Sequence, residues 1–398
     1  MSTERNVPKL RFPGFTEPWE PCKVSEMFKV TRGYVLPATD TSAEMNNEMP
    51  YPVYSSQTKD NGLMGYYSDY LYENAITWTT DGANAGTVNF RDGKFFCTNV
   101  CGVLLSNEIE ASRAIAEALN NVAKRYVSYV GNPKLMNNVM ADIQIAVPKS
   151  KKEREQISSY FSQLDHLITL HQRKLEHVKD LKKSMLQKMF PKNEQEYPEL
   201  RFPGFTEPWE QRKLGEIYGS IGNAFVGTAT PYYVEQGHFY LESNNVKDGQ
   251  INHNSEIFIN DEFYEKQKDK WLHTGDVVMV QSGHVGHAAV IPKELNNTAA
   301  HALIMFRNPK EEIEPYFLNY EYQTDKVKKK IENITTGNTI KHILASDMQE
   351  FVVDVPKYEE QKVIASYFSH LDHLITLHQH KCEELRKIKK YMLQNMFV

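Results

Sequence analysis

Hydrophobic residues recur at heptad spacing in two long segments of the chain. Counted from Ile157, eight of the ten positions that would face a partner helix are apolar, and the same pattern starts again at Ile364. The first set is Ile157, Phe161, Leu164, Ile168, His171, Leu175, Val178, Lys182, Met185 and Met189, and the second is Ile364, Phe368, Leu371, Ile375, His378, Cys382, Leu385, Lys389, Met392 and Met396. No glycine or proline interrupts the first segment before Pro191. The pattern predicts two coiled-coil helices of about 33 residues, each roughly 50 Å long.

The two helical segments are near copies of each other and belong to a repeated frame. Residues 160–190 return at 367–397 with 21 of 31 positions identical, and the sequence LRFPGFTEPWE at 10–20, called the tag here, returns unchanged at 200–210. The order of the repeats is that of two equal units arranged in a ring, with the chain ends at one junction between them. We therefore expect the two ends of the chain to lie close together. Because both copies carry the same apolar stripe, we expect them to pack antiparallel about a local twofold axis, holding the intervening blocks at opposite ends.

The blocks between the repeats have the pattern of mixed α/β domains. The strands predicted in the first block are 75–79, 87–90 and 100–105, and its helix is 108–129. The strands predicted in the second block are 276–280 and 287–291, and its helix is 314–332. Each block closes with a strand that enters Val-Pro-Lys, at 147–149 and 355–357, directly before its long helix. This shared exit indicates two divergent copies of one domain.

The sequence therefore predicts an α/β protein in four segments. They are a first domain at 1–150 that includes the tag 10–20, a first long helix at 151–192, a connector with the tag 200–210 and the second domain at 193–357, and a second long helix at 358–398. In this fold class a pair of long antiparallel coiled-coil helices separates two mixed α/β domains. The arrangement is pseudo-twofold symmetric, with a circular repeat order.

Composition narrows the class of protein. Of the 398 residues, 40% are hydrophobic and 24% are charged, which excludes a disordered or collagen-like chain. Apolar runs such as 277–280 are far shorter than the about 18 residues of a membrane helix, and Met1 is not followed by a signal-peptide core. We therefore expect a cytoplasmic protein that contacts no membrane. The four cysteines do not indicate a disulfide framework, and Cys97 and Cys101 lack the second pair of a zinc site.

Motifs of common catalytic sites are missing. The sequence has no G-x-x-x-x-G-K-[ST] phosphate loop, no G-x-G-x-x-G, no H-E-x-x-H and no G-x-S-x-G. Neither Asn132-Pro133 nor Asn308-Pro309 extends into the Asn-Pro-Pro-aromatic motif with which amino-methyltransferases hold a base. We therefore expect no catalytic centre in this chain.

The histidines leave two interpretations open. His284 and His287, with His301, could form a metal set, but a glycine-bearing loop more often uses such residues for surface hydrogen bonds. His171 and His378 interrupt the apolar stripes, where a polar residue fixes the register of a coiled coil; catalysis or metal binding is the alternative. We favour the structural reading in both cases and expect no metal site.

Charge is small overall but uneven. The net charge of -5 argues mildly against a general nucleic-acid binder, yet residues 151–192 carry ten Lys or Arg against five Asp or Glu. Loops of both blocks hold side chains that can reach base edges and phosphates, with ordinary solvation as the competing explanation. The candidate DNA-binding residues are Gln57, Lys59, Asn61, Tyr66, Thr80, Asn84 and Arg91 in the first block, and Asn244, Asn245, Lys247, Ser282, His284, Lys328, Lys329, Asn338 and Lys341 in the second.

Taken together, these features resemble the specificity subunit of type I restriction-modification systems. The resemblance spans essentially the whole chain and rests on two divergent blocks, each followed by a long helix that contains YFS-x-LDHLITLHQ-x-K, and on the repeated tags. The segment ENAITWTTDGANAG at 73–86, the Gly-Asp-Val-Val at 275–278 and the Val-Pro-Lys exits are further details similar to that family.

The resemblance implies a division of labour. Each block would be a target recognition domain that reads one half of an asymmetric bipartite DNA sequence, and the helices would set the gap and dock two modification subunits. This chain would hold no cofactor: S-adenosylmethionine would belong to the modification subunits, and ATP and Mg²⁺ to restriction subunits that translocate and cleave DNA. The expected partners are thus double-stranded DNA and these two kinds of subunit. The net negative charge then predicts weak DNA binding by the isolated chain.

Alternatives remain at this point. A coiled-coil adaptor with two divergent protein-binding domains would explain the helices and the charge, but not why the blocks diverge while their frame is copied. A self-contained nuclease or methyltransferase is disfavoured by the missing motifs. The tags, with Trp19 and Trp209, either dock two identical partners or pack on the helices of this chain.

Overall fold

The computed structural model describes residues 7–57, 59–193, 195–337 and 341–397, apart from the side chain of Lys59. The strands and α-helices up to residue 188 are β1 Glu20–Lys23, α1 Val24–Met27, β2 Phe28–Arg32, β3 Tyr51–Tyr54, β4 Leu63–Tyr67, β5 Tyr72–Thr79, β6 Val88–Cys97, β7 Cys101–Ser106, α2 Arg113–Ala123, α3 Asn137–Asp142, β8 Gln144–Val147 and α4 Lys151–Lys188. Those that follow are β9 Glu210–Lys213, α5 Leu214–Ile217, β10 Tyr218–Asn223, β11 Tyr233–Val234, β12 His238–Leu241, β13 Val246–Lys247, β14 Gln250–Ile251, β15 Phe258–Ile259, α6 Asp261–Glu265, β16 Val277–Val280, β17 Ala288–Val290, β18 Ala299–Ala300, β19 Leu303–Pro309, α7 Pro315–Glu321, α8 Asp325–Ile334, α9 Ala345–Gln349, β20 Val352–Val355 and α10 Tyr358–Met396.

Two compact units make up the chain, and the first combines segments that are far apart in the sequence. Unit 1 comprises Met1–Gln172 and Gln379–Val398, and unit 2 comprises Arg173–His378. Each of the long helices α4 and α10 is divided between the two units, so that each unit contains one part of each helix. Unit 1 therefore holds the first block with the start of α4 and the end of α10, as the circular repeat order predicts. The four-segment division of the sequence stays a prediction.

The helix halves of unit 1 run antiparallel. The ring centroids of Phe161 on α4 and Phe397 lie 5.9 Å apart. Further along α4, the carbonyl of Ile168 accepts a weak hydrogen bond from the thiol of Cys382 at 3.9 Å. The residue number thus rises on α4 while it falls on α10.

The helix halves of unit 2 repeat this arrangement. The rings of Phe190 and Phe368 lie 6.0 Å apart, and Lys182 Nζ donates to Asp372 Oδ1 at 2.6 Å. In unit 1 the equivalent Lys389 Nζ donates to Asp165 Oδ1 at 2.9 Å. All the predicted stripe positions of both helices are buried or half-buried, which confirms the heptad pattern. No helix in the described part of the chain is both long enough and apolar enough to cross a membrane.

A shared four-stranded sheet underlies both blocks. Its order is β2-β7-β5-β6 in unit 1 and β10-β19-β16-β17 in unit 2, and every neighbouring pair is antiparallel. In unit 1 this sheet continues into β3 and β4, whereas unit 2 adds a separate sheet of order β11-β15-β12-β18. The exit strands β8 and β20 pair with β1 and β9, the strands that begin at the last residue of each tag. The common order supports two divergent copies of one domain.

Of the two helices predicted in the blocks, the first was too long and the second is interrupted. Helix α2 covers only Arg113–Ala123 of the predicted 108–129, because the preceding segment is bonded to the sheet region: the Glu108 amide donates to the Met27 carbonyl at 3.2 Å. The predicted 314–332 is two helices, α7 and α8. Thr324 divides them, since its Oγ1 accepts from the amide of Val327 at 3.3 Å and caps α8.

The tags pack on the helices of this chain. Trp19 and Trp209 are buried, at 2% and 3% exposure, so their rings are not available to a partner. The backbone amide of Leu10 donates to the carbonyl of Asn395 at 2.9 Å, and the equivalent amide of Leu200 donates to that of Lys188 at 2.8 Å. Segments near the two ends of the chain thus meet as the sequence predicts, although residues 1–6 and 398 lie outside the described part.

Candidate nucleic-acid interface

One loop occupies the same topological position in both units. It joins the second and third strands, in chain order, of the shared sheet, at 80–87 in unit 1 and 281–287 in unit 2. Gly86 and Gly286 have positive φ angles of 82° and 87°, which glycine adopts readily. A Cβ on either glycine would lie within 3.0 Å of a side chain, 2.8 Å from Val127 Cγ2 and 2.9 Å from Ile331 Cγ2 respectively. Both loops therefore need glycine to lie close to the rest of their block.

A second segment lies beside this loop in each unit. In unit 1, Ser128 pairs with Lys134, and the amide of Leu135 donates to the carbonyl of Thr80 at 2.9 Å. In unit 2, Thr336 pairs with His342, and the amide of Ile343 donates to the carbonyl of Gln281 at 3.0 Å. Each unit thus presents two bonded loops at the same edge of its sheet.

In unit 1 four of the predicted DNA-binding residues meet. Gln57, Asn61, Asn84 and Arg91 line one polar cavity of about 110 Å³. Asn84 Nδ2 donates to the carbonyl of Ser56 at 3.1 Å, which holds the two sides of the cavity together.

The remaining predictions for unit 1 lie elsewhere. Thr80 is on the adjoining loop and is half-buried, and Tyr66 on β4 is half-buried away from the cavity. The side chain of Lys59 lies outside the described residues.

Arg91 forms the floor of this cavity. It is 7% exposed; Nε donates to Thr77 Oγ1 at 3.0 Å, Nη2 donates to the carbonyl of Asn61 at 2.8 Å, and the guanidinium lies 3.7 Å from the ring centroid of Tyr54. Burial lowers the pKa of Arg91 from its ordinary value, but a guanidinium stays charged in proteins. No carboxylate of the described chain pairs with it. The cavity therefore has a positive floor and amide walls, which suits the acceptor-rich edge of a base.

In unit 2 three predicted residues line one cavity of about 270 Å³. They are His284, Lys328 and Lys341. Ser282, on the same loop as His284, pairs through its backbone with His342. This cavity is lined by two lysines and Glu332 and has fewer carboxamide side chains than the one in unit 1.

Three predicted residues lie on the neighbouring segment 244–247. Asn244 and Lys247 are exposed. Asn245 is 1% exposed, and its amide is used within the protein: it accepts from the Glu242 amide at 3.0 Å and donates to the carbonyls of Asn252 and Ser255. Its side chain therefore fixes the loop and does not face the solvent, contrary to the base contact that we expected.

The side chains of Lys328 and Lys329 line different cavities. Consecutive residues of a helix point about 100° apart, and Lys329 lines a different cavity, with Arg212, Lys326 and Lys330. It is therefore separated from the loop that carries His284. Asn338 lies outside the described residues.

The sequence analysis missed the second loop of unit 1. Tyr129 and Val130 are 70% and 93% exposed at its tip, Lys134 Nζ lies 3.7 Å from Asp81 Oδ2, and Asn132 bonds to the same carboxylate. The pattern Tyr-Val-Gly-Asn-Pro, an aromatic residue beside turn formers, could have indicated this loop.

The structure does not support the metal sites that were considered for the cysteine pair and for the histidines of the second block. In the described ranges no group of three or more His, Cys, Asp or Glu side chains could hold a metal ion. Cys97 and Cys101 are buried, and burial raises the pKa of Cys101 to about 11, so this thiol stays protonated. His301 bonds within the protein, to Glu242 and the carbonyl of Gly227.

Known proteins resemble this chain over most of its length. Residues 16–180 and 206–387 each match the family model of the type I restriction modification DNA specificity domain. The type I restriction enzyme MjaVIII specificity subunit of Methanocaldococcus jannaschii is 23% identical over 407 aligned positions, which cover 98% of this chain and 94% of that protein. A Mycoplasma pneumoniae protein, whose name describes the N-terminus of a type I specificity subunit, is 39% identical over 140 residues, covering 34% of this chain and 73% of that protein. This chain also superposes on the crystal structure of the type I restriction-modification S subunit from M. genitalium with a TM-score of 0.69 at 15% sequence identity. The superposition covers 98% of this chain and 99% of that chain, so the two proteins share a fold.

Proposed function

Because the chain belongs to the type I restriction-modification DNA specificity domain family, we propose that it is the sequence-specific DNA recognition subunit of such a complex. Each unit reads one half of an asymmetric bipartite target. In this proposal residues 1–150 and 193–357 are the target recognition domains, and residues 151–192 and 358–398 are the spacer helices that set the gap. The observation that carries it is the pair of bonded loops, which stand at the same edge of the shared sheet but differ in their side chains.

The two half-sites differ because the two loop pairs differ in chemistry. Unit 1 presents the amides of Gln57, Asn61 and Asn84 around a buried guanidinium. Carboxamides pair with adenine and guanidinium with guanine in the major groove. Unit 2 presents His284 with lysines, which donate to guanine or to phosphate.

The partners of the chain are DNA, two modification subunits and, through them, restriction subunits. Two identical partners need two identical surfaces, and the repeated helices supply them. Leu170 on α4 and its repeat counterpart Leu377 on α10 are 37% and 51% exposed, and Leu167 is also exposed. Such apolar side chains on an otherwise polar face suit a stable protein contact. We place the docking of the modification subunits there, since the tag tryptophans are buried.

The chain itself contributes no catalytic centre in this proposal. S-adenosylmethionine is held by the modification subunits, ATP and Mg²⁺ by the restriction subunits, and the complex acts on DNA in the cytoplasm. A coiled-coil adaptor would leave the family match of both blocks without explanation.

The test is to express the chain with its modification subunit in a host without other such systems and to sequence the methylome at single-molecule resolution. We expect one asymmetric motif of two short half-sites separated by a fixed gap, with methylated adenine on both strands. Omitting this chain should abolish the methylation. A motif without a gap, or methylation that does not depend on the chain, contradicts the proposal.

A further inference from the structure

Three lysines of unit 2 lie along one continuous surface. Lys179 and Lys183 are one turn apart on α4 and line, with Lys328 of α8, a cavity of about 270 Å³. Lys328 also lines the neighbouring cavity that contains His284, Lys341 and Glu332. A surface with more lysines than carboxylates therefore runs from the candidate base-reading loop to the long helix.

The other charged groups of this cavity are one paired lysine and two exposed carboxylates. Lys182 pairs with Asp372 at 2.6 Å. Asp248 and Asp325 are exposed, so water solvates their carboxylates, and Asp325 is in the first turn of α8, where the positive end of the helix dipole stabilises a carboxylate. No described residue forms an ion pair with Lys179, Lys183 or Lys328. These three ammonium groups remain available to an external anion.

The internal repeat keeps two of these charges. The counterparts of Lys179 and Lys183 on α10 are Arg386 and Lys390, which are exposed cations of unit 1. The neighbouring position is not retained in charge: Asp180 of α4 corresponds to Lys387 of α10. The repeat therefore keeps a cation at the positions of Lys179 and Lys183 although the charge between them changes.

We propose that Lys179, Lys183 and Lys328 bind the phosphate backbone of the DNA beside the half-site read by unit 2. The inference rests on the proposed function and adds contacts that the recognition loops do not provide. A lysine ammonium acts on phosphate as a point charge, so it releases condensed counterions and raises affinity without reading sequence. The surface therefore strengthens binding equally to target and non-target DNA.

The experiment uses the complete complex of the chain with its modification subunits. Its dissociation constant is measured by fluorescence anisotropy on a duplex with the methylome-defined target and on a scrambled duplex, over a series of KCl concentrations. We expect Lys179→Gln and Lys183→Gln each to make the slope of log K against log salt less steep by about 0.9, the value for one phosphate contact in B-DNA. Both duplexes should lose affinity by the same factor, and the methylated motif should stay unchanged.

Lys174→Gln is the matched control. Lys174 is exposed on the same helix, nine residues before Lys183 and hence on the opposite side of α4, so its substitution should leave the slope unchanged. Slopes for Lys179→Gln and Lys183→Gln that equal that of Lys174→Gln, with target preference intact, overturn this inference alone. An unsubstituted complex that does not prefer its target overturns the proposed function and this inference together.

Discussion

The guanidinium of Arg201 and the carboxylate of Glu360 form a two-point ion pair, in which Nε and Nη2 each donate at 2.7 Å. The carboxylate of Glu360 is 1% exposed, so the pair is desolvated on that side. Arg11 and Glu153 form the same pair in unit 1 at 2.6 and 2.8 Å. In unit 1 this ion pair links the tag to the first turn of α4, and in unit 2 it links the tag to the first turn of α10.

Replacing Arg201 by alanine should destabilise unit 2 strongly. The substitution leaves Glu360 as a buried charge without its partner, which typically costs about 3 to 5 kcal/mol. The free energy of unfolding by urea measures the effect. Lys192→Ala, which removes an exposed ion pair with Glu199, is the control and should shift the midpoint little, because solvent screens that pair. Equal effects of the two substitutions would argue against the buried ion pair as a stabilising contact.

The two identical tags should respond differently to the loss of their tryptophan nitrogen. Trp19 Nε1 donates to Glu153 Oε1 at 3.2 Å, whereas Trp209 Nε1 is buried without an acceptor among the described residues. We expect Trp19→Phe to be more destabilising than Trp209→Phe by about 1.5 to 3 kcal/mol, the usual contribution of a hydrogen bond to a charged group. Because both substitutions remove the same volume, each controls the other. Denaturant unfolding of the two variants gives the difference, and the reverse ranking is incompatible with these contacts.

Glu321 should make the stability of the protein depend on pH. Burial raises the pKa of Glu321 to about 8, because the charged carboxylate loses its hydration. The unfolded chain releases this proton near the ordinary value of about 4.3, so between these values only the folded state holds it. The free energy of unfolding therefore falls as pH rises through this window, by up to about 1.4 kcal/mol per unit from this group, and levels off above about pH 8.

Glu321→Gln should remove this contribution. We expect the difference in unfolding free energy between the variant and the parent protein to grow in favour of the variant from about pH 5.5 to 7.5. Glu235→Gln, at an exposed position, should run parallel to the parent protein over the same range. A pH-independent difference for Glu321→Gln would mean that Glu321 is ionised in the folded state at these pH values.

Single substitutions in one unit should alter one half of the DNA target. Gln57→Ala is expected to relax the half-site read by unit 1, and His284→Ala the other, each by about 1 to 3 kcal/mol of discrimination at one base pair. Methylome sequencing of hosts that carry each variant measures both halves at once. Lys329→Ala should change neither half, since that side chain lines a separate cavity. Changes in both halves from a single substitution would speak against independent recognition domains.

The frame of the protein could be predicted from the sequence, because it depends on patterns that repeat. The heptad spacing from Ile157 to Met189 predicts α4, and the copied segments predict which halves of the two helices share a unit. The break between α7 and α8 was missed because Thr324 lies within a segment that otherwise favours a helix, and its capping role depends on one hydrogen bond.

The candidate site could be predicted only in part. Loop composition identified Gln57, Asn61 and Asn84, which the fold brings together, but the same composition also selected Asn245, whose amide bonds inside its own loop. An exposed and a buried asparagine have the same local pattern, and only the tertiary contacts separate them. Likewise, identical tags cannot reveal that just one of their tryptophans finds an acceptor.

The way α10 completes unit 1 has a consequence for fragments of the chain. Lys389 and Met396, which α10 supplies to unit 1, have their repeat counterparts in Lys182, near the end of α4, and Met189, directly after it. A fragment of residues 1–192 thus carries both a recognition domain and a copy of the helix half that this domain requires. We expect two such fragments to exchange these halves and to form a homodimer with unit 1 twice, which under the proposed function would direct methylation to a palindrome of one half-site. Half of the gene would then suffice for a complete specificity, and exchanging one block between related genes would create a new target without redesigning the frame.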